Sequence, residues 1–460
     1  MLGQLVGPDI KEMIDNRQFA QLRRALRALA PQAVAEIFSD MEPEDVAIVF
    51  RVLPRDFVAD VFEYMPFEAQ EPVLHNLGQE HVAVVLNEMD PDDRTELLEE
   101  LPGKVTQRLI SLLSPEERRI ATKLLGYPED SVGRLMTPDY VAVRADWTVG
   151  QVLEHIRQVG HDKETLNVIY VVDDRGRLVK DVRLRQLVLS DPDTPVTQIE
   201  DRPVFALQTG QDQEEAVKVF RDTDRIALPV VDSTNQLVGI VTVDDMIDVV
   251  DEETTEDIQK MAAVTALDAP YLKVNVWGMI RKRATWLSAL FIGGMFTISA
   301  IAYYEEQLQK ALVLGFFIPL IISSGGNSGS QAASLVTRAL ALGDVTLRDW
   351  WRVLIRELSS GLALGAILAV LALLRVYFWP PEVGGETIAD WELVALTLAI
   401  TLVGVVTWGT IVGSLLPILL KSVGLDPAVS STPFVATLVD VTGIIIYFSV
   451  ASVVMARVLS

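Results

Sequence analysis

The sequence predicts a multidomain membrane protein. We expect an all-α superhelical N-terminal domain over 1–130, a duplicated α/β region over 131–250, an acidic connecting (plug) helix over 251–270 and five transmembrane helices over 271–460. The mean hydropathy is positive, at +0.30, although the net charge is −24. The last of these parts carries 12 basic and 11 acidic residues, whereas the rest of the chain carries 27 and 52. Acidity and apolarity therefore belong to different halves of the chain.

The composition excludes several classes of protein. No cysteine occurs, which excludes a disulfide scaffold, a cysteine-ligated metal centre and a thiol enzyme. The acidic soluble half would repel phosphate, so no nucleic-acid partner is expected. No HExxH, P-loop or GxSxG motif occurs, and the four histidines are scattered at His75, His81, His155 and His161. We therefore do not expect an enzyme.

The N-terminal domain reads as a stack of short helices. A proline with an acidic residue nearby recurs at steps of 11, 12, 25, 11 and 13 residues, and the step of 25 spans two periods. These prolines are Pro43, Pro54, Pro66, Pro91, Pro102 and Pro115. Proline in a first helical turn starts a helix, and a neighbouring acid suits the helix dipole. Apolar residues recur between them at three and four positions, which predicts one helix per repeat.

The region after the helical repeats contains one α/β unit twice. The runs LNVIYVVDD and ALPVVD predict buried strands, each preceded by a helix and followed by a turn. VVDDRGRLVKDVRLRQL aligns with VVDSTNQLVGIVTVDDM, which indicates an internal duplication. The pattern resembles tandem CBS modules. That resemblance implies contact of Thr242 and Asp245 with ATP or another adenine nucleotide. The first copy has Lys180, Arg183 and Gln186 at the matching glycine, threonine and aspartate positions, so one of the two clefts is degraded.

An acidic helix over 251–265 connects the second module to the membrane part. It brings Glu253, Glu256 and Asp257 together at spacings of three and four residues, with Asp248 one turn earlier. Like charges at this spacing destabilise a helix unless cations or water offset them. A solvated linker helix would explain the run without a ligand. Because the run adjoins the membrane part, we favour binding of divalent cations.

Apolar runs long enough to cross a bilayer follow one another after Trp286. They cover roughly 285–303, 311–337, 354–379, 391–420 and 432–457. No signal peptide is expected, since the first residues lack a basic region followed by an apolar one. Basic residues favour the loops on the side of the N-terminus. We therefore expect a plasma-membrane protein with a cytosolic N-terminus and an extracytosolic C-terminus.

Asp440 lies inside the last apolar run, with no basic residue near it in sequence. A carboxylate at that depth needs water, a cation or a partner, and such residues mark ion pathways. A protonated Asp440 bonded to a serine or threonine of a neighbouring helix is the alternative. We favour the cation pathway.

The run PLIISSGGNSGSQ places glycines, serines and amides in the middle of the second span. Such residues weaken a helix and open its backbone carbonyls, although close helix packing on small residues would explain the glycines equally well. Asn327 and Gln331 lie four residues apart on one face. Together with Gly325 and Gly326 they form the predicted pore lining.

The membrane part offers oxygen ligands alone, because it holds neither histidine nor cysteine. Oxygen sites suit Mg²⁺, Ca²⁺ or Mn²⁺, and sparse carboxylate suits a hydrated ion such as Mg²⁺. One aspartate cannot surround a pore. A symmetric homodimer would bring two copies of Asp440 to one axis.

The order of all these parts resembles the MgtE family of magnesium channels and transporters. The resemblance rests on GGNSGSQ at 325–331, DPAVSSTPFVATLVDVTG at 426–443, and VTVDDMIDVV with EETTEDI at 241–258. It implies a homodimeric Mg²⁺ pore lined by the second and fifth spans, with Asp440 as selectivity carboxylate. It also implies that cytosolic Mg²⁺ closes the pore by bridging acids between cytosolic modules.

By motif position the implied Mg²⁺-sensing residues are Asp93, Glu96, Asp212, Glu214, Asp224, Asp245, Asp248, Glu253, Glu256 and Asp257. Asp426, which begins the second motif, is a further metal-binding candidate. Two residues depart from the family pattern. Thr432 stands where the family often has asparagine, and Arg225 stands where an aromatic residue would pack on adenine.

The sequence thus predicts a Mg²⁺-selective channel that imports Mg²⁺ and is closed by cytosolic Mg²⁺. A secondary transporter of Mg²⁺, Mn²⁺ or Co²⁺ regulated by CBS modules is the alternative. That class needs coupling-ion sites and usually has inverted repeats. Five spans do not divide into equal halves, and only one deep acid is present, so the channel is favoured.

Overall fold

The N-terminal part consists of short helices, each about as long as one sequence repeat. The computed structural model describes residues 2–199, 203–267, 271–272, 274–380, 382–383, 386–387 and 390–456. The helices are α1 (Leu2–Asp15), α2 (Phe19–Leu26), α3 (Pro31–Ser39), α4 (Pro43–Phe50), α5 (Arg55–Glu63), α6 (Phe67–Asn76), α7 (Gln79–Glu88), α8 (Pro91–Glu100), α9 (Gly103–Leu112) and α10 (Pro115–Leu124).

These helices form a repeat stack. α3 packs on α5, α4 on α6, α5 on α7 and α7 on α9, so each contacts the helix two places further along. One core of buried apolar side chains runs from Ile10 to Ala121. The step of 25 residues between two prolines contains α7, which begins after Gly78 without a proline. The predicted all-α superhelical domain is confirmed.

The prolines mark the helix starts in two ways. Three occupy the first helical position, and these are Pro43, Pro91 and Pro115. For the other three the expectation was wrong by one residue, since the N-cap position is held by Pro54, Pro66 and Pro102. An extended residue suits that position, and its carbonyl accepts the first helical bond, as from Val58 N–H to Pro54 O over 3.0 Å.

The α/β region contains two copies of one three-stranded sheet with helices. Its elements are α11 (Val132–Leu135), β1 (Ala142–Arg144), α12 (Val149–Val159), β2 (Val168–Val172), β3 (Leu178–Arg183), α13 (Leu184–Leu189), β4 (Leu207–Gln208), α14 (Gln213–Thr223), β5 (Ala227–Val231), β6 (Leu237–Thr242) and α15 (Val243–Met261). β1 runs parallel to β2, which pairs antiparallel with β3, and β4–β6 repeat this order. The duplication is confirmed.

The two copies agree in detail at the turn after the central strand. The antiparallel register shifts between Val171 and Val172 and, in the second copy, between Val230 and Val231. The turns that follow need a residue with positive φ, which Gly176 supplies at +75° and Asn235 at +64°. Glycine and asparagine are thus equivalent residues of the repeat.

The C-terminal part is built from long helices. Its elements are α16 (Val276–Tyr303), α17 (Glu305–Lys310), α18 (Val313–Ala341), α19 (Trp350–Phe378), β7 (Glu382–Val383), β8 (Glu386–Thr387), α20 (Trp391–Ser422) and α21 (Thr432–Val454). The contacts within the chain divide it into a soluble unit over 1–251 and a membrane unit over 252–460, so the last turns of α15 belong to the membrane unit.

Within the described residues, four helical segments are long and apolar enough to cross a membrane. They are Val276–Tyr303, Leu347–Phe378, Trp391–Ser422 and Thr432–Val454. The predicted second span, α18, is 29 residues long but is not among the four, because its middle is rich in glycine, serine and amide. The count of five crossings therefore stays a prediction.

Close helix packing accounts for Gly325 and Gly329 of α18, where an added Cβ would lie 2.4 Å from Val405 Cγ1 and 3.0 Å from the Gly409 carbonyl oxygen. The described segment is helical from Val313 to Ala341, with Pro319 inside it, so its glycine-rich stretch does not interrupt the helix. A Cβ on Gly413 of α20 would lie 2.0 Å from the carbonyl oxygen of Gly329. The two helix backbones approach too closely there for any side chain.

Gly413→Ala is therefore expected to lower the stability of the membrane unit by about 1–3 kcal/mol, because the added methyl group pushes α20 from α18. Gly404→Ala on the same helix is the matched control, since a Cβ there would lie 3.5 Å from Ile446 Cγ2, an ordinary contact. Thermal unfolding of the purified chain in detergent measures both. Equal melting temperatures for the two variants would contradict the packing described.

Candidate metal centre

Asp440 lies on α21 beside the glycine-rich part of α18. A Cβ built on Gly326 would lie 3.5 Å from Asp440 Oδ1 and 3.4 Å from Ala436 Cβ, so the carboxylate lies against α18 at this glycine. The Asp440 side chain is half-buried. No hydrogen bond or ion pair reaches it from the described residues. The alternative considered above was a protonated Asp440 bonded to a serine or threonine. No such bond is present among the described residues.

The middle of the α18 edge that a single chain leaves exposed is polar. Ser323, Asn327 and Gln331 lie four residues apart and are exposed, and Asn327 Nδ2 donates to Ser323 Oγ over 3.4 Å. Hydroxyl and amide groups are costly against hydrocarbon. Gly325, by contrast, is buried, and a Cβ there would lie 2.4 Å from Val405 Cγ1. Of the predicted lining, the two amides are therefore exposed and this glycine serves helix packing.

A second group of acidic residues lies in the soluble unit, around the start of α8. Carboxylate oxygens of Glu63, Asp90 and Asp93 lie within 4.8 Å of one another, close enough to bind one metal ion. The Asp90 N–H donates to Glu63 Oε1 over 2.8 Å, which fixes one of the three. Asp92, next to them, has a buried Oδ1 with no hydrogen-bond partner among the described residues. We call Glu63, Asp90, Asp92, Asp93, Glu164 and Asp245 the acid cluster.

Burial and mutual repulsion hold the acid cluster partly protonated. Burial, followed by the charge of Glu63, raises the pKa of Asp93 to about 8, and burial raises the pKa of Glu63 to about 7. Burial and then the charge of Asp90 raise the pKa of Glu164 to about 7. Burial raises the pKa of Asp245 to about 6, and burial together with the Asp245 charge raises the pKa of Asp92 well above its usual value. A divalent cation would remove this repulsion.

Without metal, the acid cluster is expected to make the soluble unit less stable as pH rises. The pKa values of these carboxyls in the folded chain lie above those of the unfolded chain, so between about pH 4 and 8 the folded state holds more protons. Their contribution to the free energy of unfolding is complete at low pH and is lost as the pH rises through 6, 7 and 8.

Thermal unfolding in EDTA from pH 5 to 8.5, repeated with saturating Mg²⁺, measures this loss. We expect the decline of melting temperature in EDTA to be reduced by Mg²⁺ and by Asp93→Asn. A decline of the same size in all three conditions would contradict the role of the cluster.

Similarity to known proteins covers all these parts. Residues 29–130 match the profile described as the MgtE intracellular N domain, 132–193 and 196–252 match the CBS domain, and 318–450 match MgtE, described as a divalent cation transporter. The magnesium transporter MgtE of Bacillus subtilis is 31% identical over 440 residues, which cover 96% of this chain and 95% of that protein. The chain belongs to the MgtE family.

Other MgtE relatives agree with this assignment. The magnesium transporter MgtE of Thermus thermophilus is 43% identical over 352 residues, 76% of either chain. A crystal structure of the cytosolic domain of the Mg²⁺ channel MgtE in complex with ATP is 37% identical, with a TM-score of 0.50, and covers 52% of this chain and 98% of that one. The soluble part of a magnesium transporter is 30% identical, with a TM-score of 0.52, and covers 55% and 99%. The predicted family is confirmed, and so is the fold class apart from its count of five membrane helices.

In this MgtE chain the two residues predicted to contact a nucleotide bind each other. Thr242 Oγ1 donates to Asp245 Oδ2 over 2.8 Å, and the Thr242 N–H donates to the same oxygen over 3.2 Å. Asp245 also belongs to the acid cluster. Asp248, one turn further along α15, has a pKa raised by burial and by the charge of Asp251.

Three predicted Mg²⁺-sensing residues of the second CBS module lie at the ends of α14. Asp212 caps the helix, its Oδ1 accepting from the Glu214 N–H over 2.9 Å. Glu214 Oε1 lies 2.9 Å from Lys218 Nζ, and Asp224 ends the helix with a φ of +49°. In the described part of the soluble unit, each of the three residues thus has a structural role at an end of α14. That they also bind Mg²⁺ stays a prediction.

The remaining predicted acids are on α8, on α15 and in the loop before α21. Glu96 is exposed, and its charge helps to raise the pKa of Asp93. Glu253 and Asp257 are half-buried on α15. Glu256 and Asp426 both bind the ammonium group of Lys260, over 2.7 and 2.8 Å. A lysine is thus placed between two acids for which a metal was predicted.

A cavity of about 560 Å³ lies between the two CBS modules. Its lining includes Arg183, Arg185 and Arg225. Arg225, the residue at the predicted aromatic position, is buried, forms an ion pair with Asp181 and lies 5.7 Å from the centroid of the Phe205 ring. The guanidinium of Arg225 therefore packs against an aromatic ring of the chain itself.

Reasoning from the sequence missed part of the site. The missed residues are Glu63, Asp90, Asp92, Glu164 and Lys260. The run DPDD at 90–93 could have indicated two of them, because acids on both sides of a helix-starting proline are close in space. The other three act through contacts with residues far away in sequence, for which no local signal exists.

Proposed function

We propose that this chain is a Mg²⁺-selective channel that imports Mg²⁺ across the plasma membrane and is closed by cytosolic Mg²⁺. In this proposal the chain acts as a homodimer, with the N-terminus in the cytosol and the C-terminus outside. Mg²⁺ is the transported ion and also the regulatory ligand.

The observation that carries the proposal is the Asp440 carboxylate. It lies on an apolar helix, half-buried, beside a helix that is polar in the middle of its exposed edge. Neither group suits hydrocarbon. A second copy of the chain across a twofold axis would cover both polar edges and pair the two carboxylates around a hydrated cation.

The acid cluster supports regulation by cytosolic Mg²⁺. At low Mg²⁺ the carboxyls of the cluster repel one another and keep protons. The helical N-terminal domain and the CBS modules, which carry these carboxyls, are then held together weakly. Bound Mg²⁺ would stabilise the arrangement in which the acids are close. Each ion shifts the equilibrium only by its preference for that arrangement, so several sites of modest affinity give a steep response.

Recording from the purified full chain in planar bilayers, with Mg²⁺ as the only permeant cation, tests this proposal. We expect unitary current steps and a lower open probability when Mg²⁺ is added on the side of the soluble unit. Uptake that needs a gradient of a second ion and shows no unitary steps would favour the alternative, a secondary transporter of Mg²⁺, Mn²⁺ or Co²⁺.

A second proposed ligand is ATP or another adenine nucleotide, bound in the cavity between the CBS modules. The lining of this cavity contains Arg183 of the first copy and neither Thr242 nor Asp245, so the proposed site differs from the one predicted from the sequence. The arginines of its lining suit phosphate groups, and the related cytosolic domain was crystallised with ATP. Arg185→Ala is expected to weaken ATP binding about tenfold, as the loss of one charge-assisted hydrogen bond does. Arg175→Ala, in an exposed turn, is the control. Titration calorimetry with the full chain measures both, and equal affinities would contradict this site.

A further inference from the structure

Lys260 joins two segments of the membrane unit that are far apart in sequence. It lies in the last turn of α15, where its Nζ is 2.7 Å from Glu256 Oε1 and 2.8 Å from Asp426 Oδ2. The bond to Asp426 spans 166 residues. An i,i+4 pair such as Lys260 with Glu256 contributes little by itself. The second carboxylate makes the lysine a tertiary contact.

Asp426 is itself held in place, so the contact is with a fixed segment. Its other oxygen, Oδ1, accepts from the Ala428 N–H over 2.8 Å and caps the 3₁₀ turn Pro427–Val429. Ala428 is only 1% exposed. Ser431 follows and caps α21, with its Oγ accepting from the Phe434 N–H. The ammonium of Lys260 therefore contacts the start of the segment that leads into the helix of Asp440.

The chain turns back immediately after Lys260. Ala263 has a left-handed φ of +57°, and the Leu267 N–H donates to Gln259 Oε1 over 2.7 Å. Lys282 of α16 donates to the Ala266 carbonyl. The end of α15 is thus fixed to α16 on one side, and Lys260 fixes it to the loop before α21 on the other.

The ammonium group stays charged at physiological pH. Burial alone would lower the pKa of Lys260, but its hydrogen bonds to Asp426 and Glu256 raise that pKa above the ordinary lysine value. All three side chains are about two thirds buried, at 28%, 36% and 35% exposure. Without the Lys260 ammonium, the carboxylates of Glu256 and Asp426 would repel each other at a site that water reaches only partly.

We propose that Lys260 is a positioning residue for transport, whose ammonium attaches the connecting helix to the loop before α21 without a bound divalent cation. Glu256 and Asp426 are then the two anions of an internal ion bridge. The consequence for transport rests on the proposed function, whereas the attachment itself does not.

The absence of cysteine allows a direct test of the attachment. Ile258→Cys and Val423→Cys, both at exposed positions, are labelled with nitroxides in the full chain. Labelled protein is diluted with unlabelled protein, so that only distances within one chain are measured. The distance distribution is recorded in EDTA by pulsed electron paramagnetic resonance. We expect one narrow distribution with Lys260, its loss in Lys260→Met, and its retention in Lys260→Arg.

Asp426→Asn is the sharpest control. Its amide oxygen can still accept from the Ala428 N–H and cap the turn, but the anion that binds Lys260 is gone, so the narrow distribution should be lost as in Lys260→Met. Lys11→Met, whose ion pair with Asp45 is in the soluble unit, should change nothing. A narrow distribution in Lys260→Met or in Asp426→Asn would overturn the proposal.

Flux measurements give the readout that depends on transport. In vesicles, Lys260→Met should shift the Mg²⁺ concentration that halves uptake, and Lys260→Arg should restore it. If the parent chain showed no Mg²⁺ flux, the proposed function would fail while the distance result would still stand. If Lys260→Met lost the narrow distribution but left the Mg²⁺ dependence unchanged, the attachment would be real and the positioning role in transport would be wrong.

Discussion

Asp440→Asn is expected to reduce Mg²⁺ flux at least tenfold, because it removes the carboxylate proposed to attract the ion. The substitution keeps the size of the side chain and its half-buried position between α21 and Gly326. A loss of about 1.4 kcal/mol of attraction for the cation suffices for a tenfold change. If two copies face each other across a twofold axis, each homodimer loses two charges, so the effect should exceed this minimum.

Stopped-flow uptake of Mg²⁺ into vesicles containing the purified chain measures this loss. Asp390→Asn is the matched control, since that aspartate is exposed in the loop before α20. The melting temperature of Asp440→Asn should not fall, because no described residue bonds to the carboxylate. Undiminished flux with a normal melting temperature would remove Asp440 from the ion pathway.

Replacing Asp93 and Asp245 together by asparagine should abolish most of the stabilisation of the soluble unit by Mg²⁺. Both carboxyls belong to the acid cluster, where burial raises their pKa values to about 8 and about 6. In EDTA the double variant should be more stable than the parent at pH 8, because the parent then holds buried charges that repel one another. A site filled to a hundred times its Kd stabilises by about 2.7 kcal/mol, and this gain should be lost.

Melting temperatures of the full chain over a Mg²⁺ series give both results in one experiment. Asp9→Asn, an exposed residue of α1, should respond to Mg²⁺ as the parent does. If the parent is a channel closed by Mg²⁺, as proposed, the double variant should also stay open in bilayers at Mg²⁺ concentrations that close the parent. A double variant that is still stabilised by Mg²⁺ to the same extent would place the regulatory ions elsewhere.

Local sequence patterns predicted the fold because helix starts and tight turns depend on residues that are close together in the sequence. The proline period reports helix starts, and the alignment of the two α/β copies reports equal turns at Gly176 and Asn235. Contacts between distant residues follow no such pattern. Glu63 and Glu164 lie 101 positions apart in the sequence, and only the packing of α5 and of the segment before β2 brings them into the acid cluster.

The candidate pore site was predictable to a similar degree. Asp440 is conspicuous because a carboxylate in an apolar run has a large solvation cost. Asn327 and Gln331 follow from their spacing. The burial of Gly325 could not be predicted, because it depends on where Val405 of α20 lies. Lys260 carried no signal at all, since a lysine at the end of an acidic helix is ordinary.

The polar middle of α18 also bears on how the protein is made. Insertion by the translocon selects segments by their apolarity, and each polar residue near the centre counts against a helix. Among the described residues, α18 is not one of the four helical segments that are long and apolar enough to cross a membrane. Ribosomes release α18 before α20 and α21, the helices that cover its glycines. Stable integration of α18 should therefore await their synthesis, and a nascent chain stopped after Ala341 should leave this helix outside the lipid.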